Sequence, residues 1–206
     1  MTVSAAPSRV AVIIPVYRAR YLGEALESVF FQSLTPDEVI VIDDGSPDQE
    51  DIERALAPFA GRVRLLRQTN QGAGAARNAG IRATSAELIA LLDADDRWLP
   101  DFLREQVALM NACRHIQVSY TNAMYIGRTR LAGRTFMSAC PSRGEVTLES
   151  LLAQECTVLL SATVAESGTV HSCASSDSSV TSPRDGQADM NIRPASGVRP
   201  MYIAFV

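Results

Sequence analysis

Apolar residues fall along this chain in runs that switch between two periods. Val10-Ala-Val-Ile-Ile-Pro-Val16 is continuous and largely β-branched, the pattern of a strand covered on both faces. Leu22, Ala25, Leu26, Val29 and Phe30 then recur at helical spacing within Tyr21–Ser33. Glu38 to Ile42 reads as a second buried strand, ending in Asp43-Asp44-Gly45-Ser46-Pro47, and a second helix follows over 48–60. Val63 to Leu66 and Gly72 to Ala83 repeat the pair. Glu87 to Leu92, closed by Asp93-Ala94-Asp95-Asp96, and Pro100 to Ala112, with proline near its start, repeat it again. Four alternations in about a hundred residues predict an α/β fold: a mostly parallel sheet with helices on both faces, in a Rossmann-like arrangement. Ligands of such sheets collect at the carboxyl ends of the strands. The polar clusters Tyr17-Arg18, Asp43-Asp44 and Asp93 to Asp96 fall at those ends.

Past Ala112 the pattern loosens. Ile116 to Tyr120 reads as a strand, Leu148 to Gln154 as a helical turn or two, and Thr157 to Val164 as another strand. From Glu166 to Pro200, Ser, Thr, Gly, Pro and Asp dominate, and such a segment buries too little surface to offset its ordering entropy. The expected organisation is a domain over 9–165 and a low-complexity, disordered, irregular C-terminal tail over 166–206.

Composition narrows the chemistry. With 47% hydrophobic residues the chain can fill a core, and its net charge of −4 argues against a nucleic-acid partner. All 19 basic residues are arginine, so Schiff-base catalysis and Walker-type phosphate binding, which need lysine, are excluded. Cys113, Cys140, Cys156 and Cys173 are scattered without a Cys-x-x-Cys pair, as expected of reduced thiols in the cytosol. Met1 to Arg9 lacks the pattern of a signal peptide, and no apolar run approaches the ~20 residues of a membrane span. The expected location is cytoplasmic, with any membrane contact peripheral, at the inner face.

The acidic clusters admit two readings each. If Asp93-Ala94-Asp95-Asp96 is extended, alternation aims Asp93 and Asp95 at one site, and carboxylates beside open positions suit Mg²⁺ or Mn²⁺ shared with substrate phosphates. A solvated acidic turn capping the next helix accounts for the same residues. Asp43-Asp44-Gly45-Ser46 either caps a turn or accepts hydrogen bonds from a base or ribose; a phospho-acceptor role would need the missing lysine. Gln71-Gly-Ala-Gly-Ala-Ala-Arg77-Asn-Ala-Gly80 offers a helix N-terminus and Arg77 to a diphosphate, or simply lets a helix of small residues pack close to the sheet.

Taken in series, Ile14-Pro15-Val16-Tyr17-Arg18, Val41-Ile42-Asp43-Asp44-Gly45-Ser46, Gly74-Ala75-Ala76-Arg77-Asn78-Ala79-Gly80 and Leu92-Asp93-Ala94-Asp95-Asp96 resemble family 2 glycosyltransferases. These are inverting enzymes of the GT-A nucleotide-diphospho-sugar transferase fold, and the resemblance runs from about Arg9 to Ala165. It implies that Pro15 and Tyr17 lie beside the nucleotide base, that Asp44 hydrogen-bonds it, and that Arg77 approaches the nucleotide from its helix. It makes Asp93 and Asp95 an Asp-x-Asp motif, Asp93 on the nucleotide side and Asp95 or Asp96 on a divalent cation, Mg²⁺ or Mn²⁺, that bridges the diphosphate. It further implies a nucleotide-sugar donor, a saccharide or lipid-linked acceptor, and work in polysaccharide biosynthesis.

Relatives continue, after a stretch like Leu159 to Ala165, into a Gly-Gly-Phe-Asp-like turn and a Glu-Asp pair that supplies the general base. Here Glu166-Ser-Gly-Thr-Val-His171 follows instead; Asp185 and Asp189 lack the flanking aromatic and aliphatic residues that would fix them and read as tail residues, and His171 reads as a solvated surface histidine. A truncated or frame-shifted C-terminal part is one expectation, leaving a chain that binds donor without turnover. A sugar-phosphate nucleotidyltransferase is the alternative activity, although Pro15-Val-Tyr-Arg18 is not the glycine-rich basic loop those enzymes place after the first strand.

Overall fold

The computed structural model describes residues 8–113, 115–127, 130–136, 159–168, 192–194 and 202–205. Strands and helices alternate as the periodicity requires: β1 (Val10–Val16), α1 (Leu22–Phe30), β2 (Glu38–Asp44), α2 (Gln49–Leu56), β3 (Arg64–Gln68), α3 (Ala73–Arg82) and β4 (Leu88–Leu91). Then come β5 (Asp96–Arg97), α4 (Phe102–Ala112), β6 (Val118–Tyr120), β7 (Asn122–Tyr125), β8 (Thr163–Glu166), β9 (Ile192–Pro194) and β10 (Tyr202–Phe205). The main sheet has the order β3-β2-β1-β4-β8-β6-β9, and β5-β10-β7 form a small second sheet. The pairs among β3, β2, β1 and β4 are parallel, whereas β8 runs antiparallel to both β4 and β6.

Every residue of β1 is buried, because both faces of the sheet are covered. Val10, Val12, Ile14 and Val16 join Leu22, Leu26 and Val29 of α1, Ile52 of α2, and Phe102 and Leu103 of α4 in one cluster. Ala11, Ile13, Ile40 and Ile42 face the other way, against Ala76 and Ile81 of α3. The α3 side is packed close: a Cβ at Gly80 would lie 2.6 Å from Ile42 Cδ1 and 2.7 Å from Ile13 Cγ2. The small residues of this helix therefore do the packing work that the sequence offered as one of two explanations.

Strand polarity explains Pro15. The carbonyls of Arg9 and Ile13 accept from Leu88 and Leu92, on the β4 side, whereas that of Val10 accepts from Asp37, on the β2 side. Odd-numbered residues thus face β4, and so does the missing N–H of Pro15. The β1–β4 ladder has its last pair at Ile13 and Leu91, and β4 turns away beyond it. Proline sits where a central strand has no partner left to receive a donor. This fork is also the point where the order reverses, β2 and β3 lying on one side of β1 and β4 on the other, the usual place for a ligand crevice.

Two sequence expectations change in detail. The strand expected over Thr157 to Val164 begins only at Thr163, behind a 3₁₀ turn at Leu160–Ala162. The short strands β5 and β7 were not foreseen, being two and four residues long and so too brief to show a period. The helix expected at Leu148 to Gln154 lies outside the described residues. Within 166–206, read as lacking order, Ile192–Pro194 adds a strand to the edge of the main sheet, and Tyr202–Phe205 pairs with both β5 and β7. The second of these belongs to Met201-Tyr-Ile-Ala-Phe-Val206, the apolar close of a Ser-rich segment.

Candidate functional site

The carboxyl ends of β1, β2 and β4 carry the residues singled out in the sequence, and α3 links them. Asp43 and Asp44 end β2, both buried. Asp43 folds the loop that follows: its Oδ1 accepts from the Ser46 amide at 2.8 Å, and Arg67 Nε lies 3.8 Å from Oδ2. Gly45 in that turn has φ +72°, and a Cβ there would meet the Asn70 nitrogen at 2.8 Å, so only glycine fits. Asp44 is committed to the next helix. Its Oδ1 accepts from Gln68 Nε2 at 2.8 Å and from the Gln71 amide at 2.9 Å, and its Oδ2 from the Gly72 amide at 2.8 Å. Burial pushes this carboxyl's pKa up, but the three hydrogen bonds outweigh it and leave the group below its ordinary value. The turn-capping explanation thus describes both aspartates. A carboxylate accepts about four hydrogen bonds, so Asp44 keeps room for a further donor.

Helix α3 starts on that support, with Gly72 as its cap at φ 90°. The amides of its first turn point outward, as helix starts do. One turn on, Arg77 forms an ion pair with Asp93, with 15% of the Arg77 side chain and 35% of the Asp93 side chain exposed. Two residues assigned separately to the nucleotide are therefore partners of each other. Arg77 Nε is buried without a partner among the described residues. Tyr17 is 47% exposed just beyond the fork, and Pro15 is buried within β1.

Asp93 to Asp96 is not an extended segment. The Asp96 amide donates to the Asp93 carbonyl at 3.1 Å, closing a turn, so strand alternation does not govern where these side chains point. Asp95 stands exposed at the tip, and Asp96 is buried, 5% exposed. Burial raises the Asp96 carboxyl to about 7; Ser161 opposes this with a hydrogen bond, and the negative charges of Asp95 and Asp93 add to the rise. The turn is held from β8's side by Ser161, a residue the sequence reading passed over. Its Oγ accepts from the Asp93 amide at 3.0 Å, and its carbonyl accepts from Trp98 Nε1 at 2.7 Å. The available signal was a lone hydroxyl within an apolar stretch, at Leu159-Leu160-Ser161-Ala162.

Among the described residues no three His, Cys, Asp or Glu side chains gather into a self-contained metal site. The donor set here is instead two adjacent carboxylates, one exposed and one held partly protonated by burial and its neighbours' charge. That set fits a hard divalent cation completed by substrate phosphates and water, and such an ion would relieve the repulsion. A cavity of about 280 Å³ is lined by Glu24, Glu27, Phe31, Arg97, Trp98 and Pro100 among others, and none of the aspartates lines it. It holds none of the residues above except the Trp98 anchor.

The sign of the Asp96 shift gives a test. The folded chain holds this proton to about pH 7 and the unfolded chain only to the ordinary value of 3.8, so the folded state gains most from it at low pH. Without added cation, the Asp96 contribution to stability is expected to fall by about 2–4 kcal/mol as pH rises from about 4 to 7. Thermal melts in a chelating buffer should show that slope in the wild type and a flatter one in Asp96→Asn; parallel curves would mean that Asp96 titrates normally.

The description of glycosyl transferase family 2 matches residues 11–160. The chain belongs to glycosyl transferase family 2. An uncharacterised glycosyltransferase of Nostoc sp. is 41% identical over 102 residues, covering 48% of this chain and 32% of that protein. The uncharacterised glycosyltransferase YibD of Escherichia coli is 35% identical over 133 residues, 64% of this chain and 38% of YibD. This family 2 chain therefore spans roughly a third of the length of these relatives. Among solved structures, Staphylococcus aureus TarS 1–349 in complex with UDP-GlcNAc superposes with a TM-score of 0.69 at 20% identity, over 96% of this chain and 59% of that one. The mannosyltransferase PcManGT of Pyrobaculum calidifontis, in complex with GDP-Man and Mn²⁺, gives 0.51 at 27% identity, over 57% of this chain and 38% of its own. The likeness to TarS establishes the fold, which is GT-A, as the sequence motifs implied. No helix among the described residues is long and apolar enough to cross a membrane.

Proposed function

We propose that residues from about Arg9 to Ala165 form the donor half of an inverting glycosyltransferase. A nucleoside diphosphate sugar lies across the carboxyl ends of β1, β2 and β4. Its base sits by Pro15 and Tyr17 and meets the remaining acceptor site of Asp44, and its diphosphate lies between the start of α3 and the acidic turn. Arg77 and Asp93 border the nucleotide, and Asp95 and Asp96 hold Mg²⁺ or Mn²⁺ against the diphosphate. When bound, the ion offsets the charge that develops on the departing nucleoside diphosphate. An acceptor hydroxyl, on a saccharide or a lipid-linked carrier, forms the new bond to the anomeric carbon as the nucleoside diphosphate leaves, and its proton passes to a general base. The described residues offer no candidate for that base; Asp185, Asp189 and His171 lie outside them. Such a chain would work in the cytoplasm, in peripheral contact with the inner face of a membrane.

One observation carries the reading: three aspartates crowd one turn at the fork of a doubly wound sheet, where burial and the neighbouring carboxylates push Asp96 to about 7. Family membership supports it, and the ligands named for TarS and PcManGT agree with it. The same matches do not favour a nucleotidyltransferase.

Titration calorimetry of the full chain with UDP-, GDP- and dTDP-sugars tests it. Binding is expected with at least one donor in the presence of Mn²⁺ and not in chelator. Asp95→Ala is expected to abolish the metal dependence while keeping the wild-type circular dichroism. A folded wild type with no metal-dependent binding ends the proposal.

A further inference from the structure

Ser161 is 1% exposed and lies 68 residues from Asp93 in sequence. The antiparallel β4–β8 register brings them together. Leu91 pairs with Thr163, and two steps further along both chains Asp93 falls opposite Ser161. There the strands have ended, and the 3₁₀ turn at Leu160–Ala162 presents the Ser161 side chain where a backbone ladder would otherwise continue.

One hydroxyl accepts and donates at once. Ser161 Oγ accepts from the Asp93 amide at 3.0 Å, which directs its proton elsewhere, and Asp96 receives the hydrogen bond. The two residues so joined are the ends of the turn that the Asp96 amide closes onto the Asp93 carbonyl. The Ser161 carbonyl takes the indole N–H of Trp98, two residues beyond the turn, at 2.7 Å. Trp98 in turn stacks on Phe102 with centroids 4.6 Å apart, and its amide donates to Ser28 Oγ at 3.1 Å. The acidic turn is thus clamped from one residue, and that residue stands on rigid sheet and core.

We propose that Ser161 is the positioning residue of the acidic turn: its hydroxyl fixes the rotamer of the Asp96 carboxylate and the path of the Asp93 backbone, so that a divalent cation meets preset ligands. This rests on the cation reading given above. A hydroxyl one bond removed from the ligands sets their orientation as second-layer partners do at other metal sites, where their loss lowers metal affinity about 10–100-fold.

In the full chain, Mn²⁺ uptake followed by loss of the free-ion EPR signal is expected to weaken about tenfold in Ser161→Ala and to recover most of that loss in Ser161→Thr, which keeps the hydroxyl. Trp98 is the single tryptophan, and its emission should stay unchanged in both variants, because a backbone carbonyl holds the indole. Wild-type Mn²⁺ affinity in Ser161→Ala overturns the proposal, and so does a loss that Thr fails to restore, since packing alone would then explain it. Should the Ala variant not fold, Ser161→Cys, close in volume but a feeble hydrogen-bonding group, is expected to show the same weakening, and wild-type affinity there overturns it equally. Failure of the underlying cation reading looks different: the wild type would take up no Mn²⁺, or would take it up unchanged after both Asp95→Ala and Asp96→Ala.

Discussion

Replacing Asp44 with alanine is expected to lower folding stability by about 3–5 kcal/mol, an effect large enough to move a melting temperature by roughly 6–20 °C in a chain of this size. The side chain is 3% exposed and satisfies two backbone amides, those of Gln71 and Gly72, as well as the Gln68 amide group. Alanine removes the acceptor of three partly buried hydrogen bonds, and a hydrogen bond to a charged group contributes about 1.5–3 kcal/mol. The damage spreads because Gly72 is the cap from which α3 starts. Asp44→Asn is the sharper variant: one side-chain oxygen can still accept, but the amide nitrogen must confront one of the N–H groups that the second oxygen now receives. It should fall between wild type and alanine in urea denaturation. A loss below about 1 kcal/mol in both would mean that water reaches the loop and that Asp44 is free to serve a ligand alone.

Arg77→Met is the second large effect. The guanidinium is the partner of Asp93, and the substitution leaves a carboxylate beside two others with its countercharge gone. Removing one member of a mostly buried pair costs up to about 3–5 kcal/mol; with Asp93 a third exposed, about 2–3 kcal/mol is expected here. Asp93→Asn in the same chain should return a good part of it, giving a coupling of at least about 1 kcal/mol in a double-mutant cycle of denaturation free energies. Additive losses would show that the pair makes no net contribution. Under the proposed function the single variant also loses donor affinity, by about tenfold or more, since a hydrogen bond to a charged group contributes about 1.5–3 kcal/mol.

These two variants mark the line between what was legible in the sequence and what was not. β1, β2 and β4 could be read because each carries a continuous apolar run, and α1 because it is apolar on one face, patterns that period alone identifies. Their order places Asp43-Asp44 and Asp93 to Asp96 at one edge of the sheet without further knowledge. What period does not convey is which polar group answers which. Asp44 takes up donors 24 to 28 residues away, and Asp93 is held by Ser161 across 68. The extended reading of Asp93-Ala-Asp95 failed for a local reason: β4 ends at Leu91, and a segment rich in aspartate gains more from closing a turn than from pairing. Short strands such as Asn122–Tyr125 exist because neighbours complete them, and nothing in their own composition announces it.

The fork at Pro15 has a last consequence. In most crevices the shape depends on side chains, which substitution can reshape one at a time. Here the floor is backbone: the ladder between β1 and β4 ends at Ile13 and Leu91, and the proline two residues on adds no donor to extend it. Any other amino acid at that position would turn an amide hydrogen toward a side of β1 where the ladder has already ended, a donor that water or the occupant of the crevice would have to satisfy.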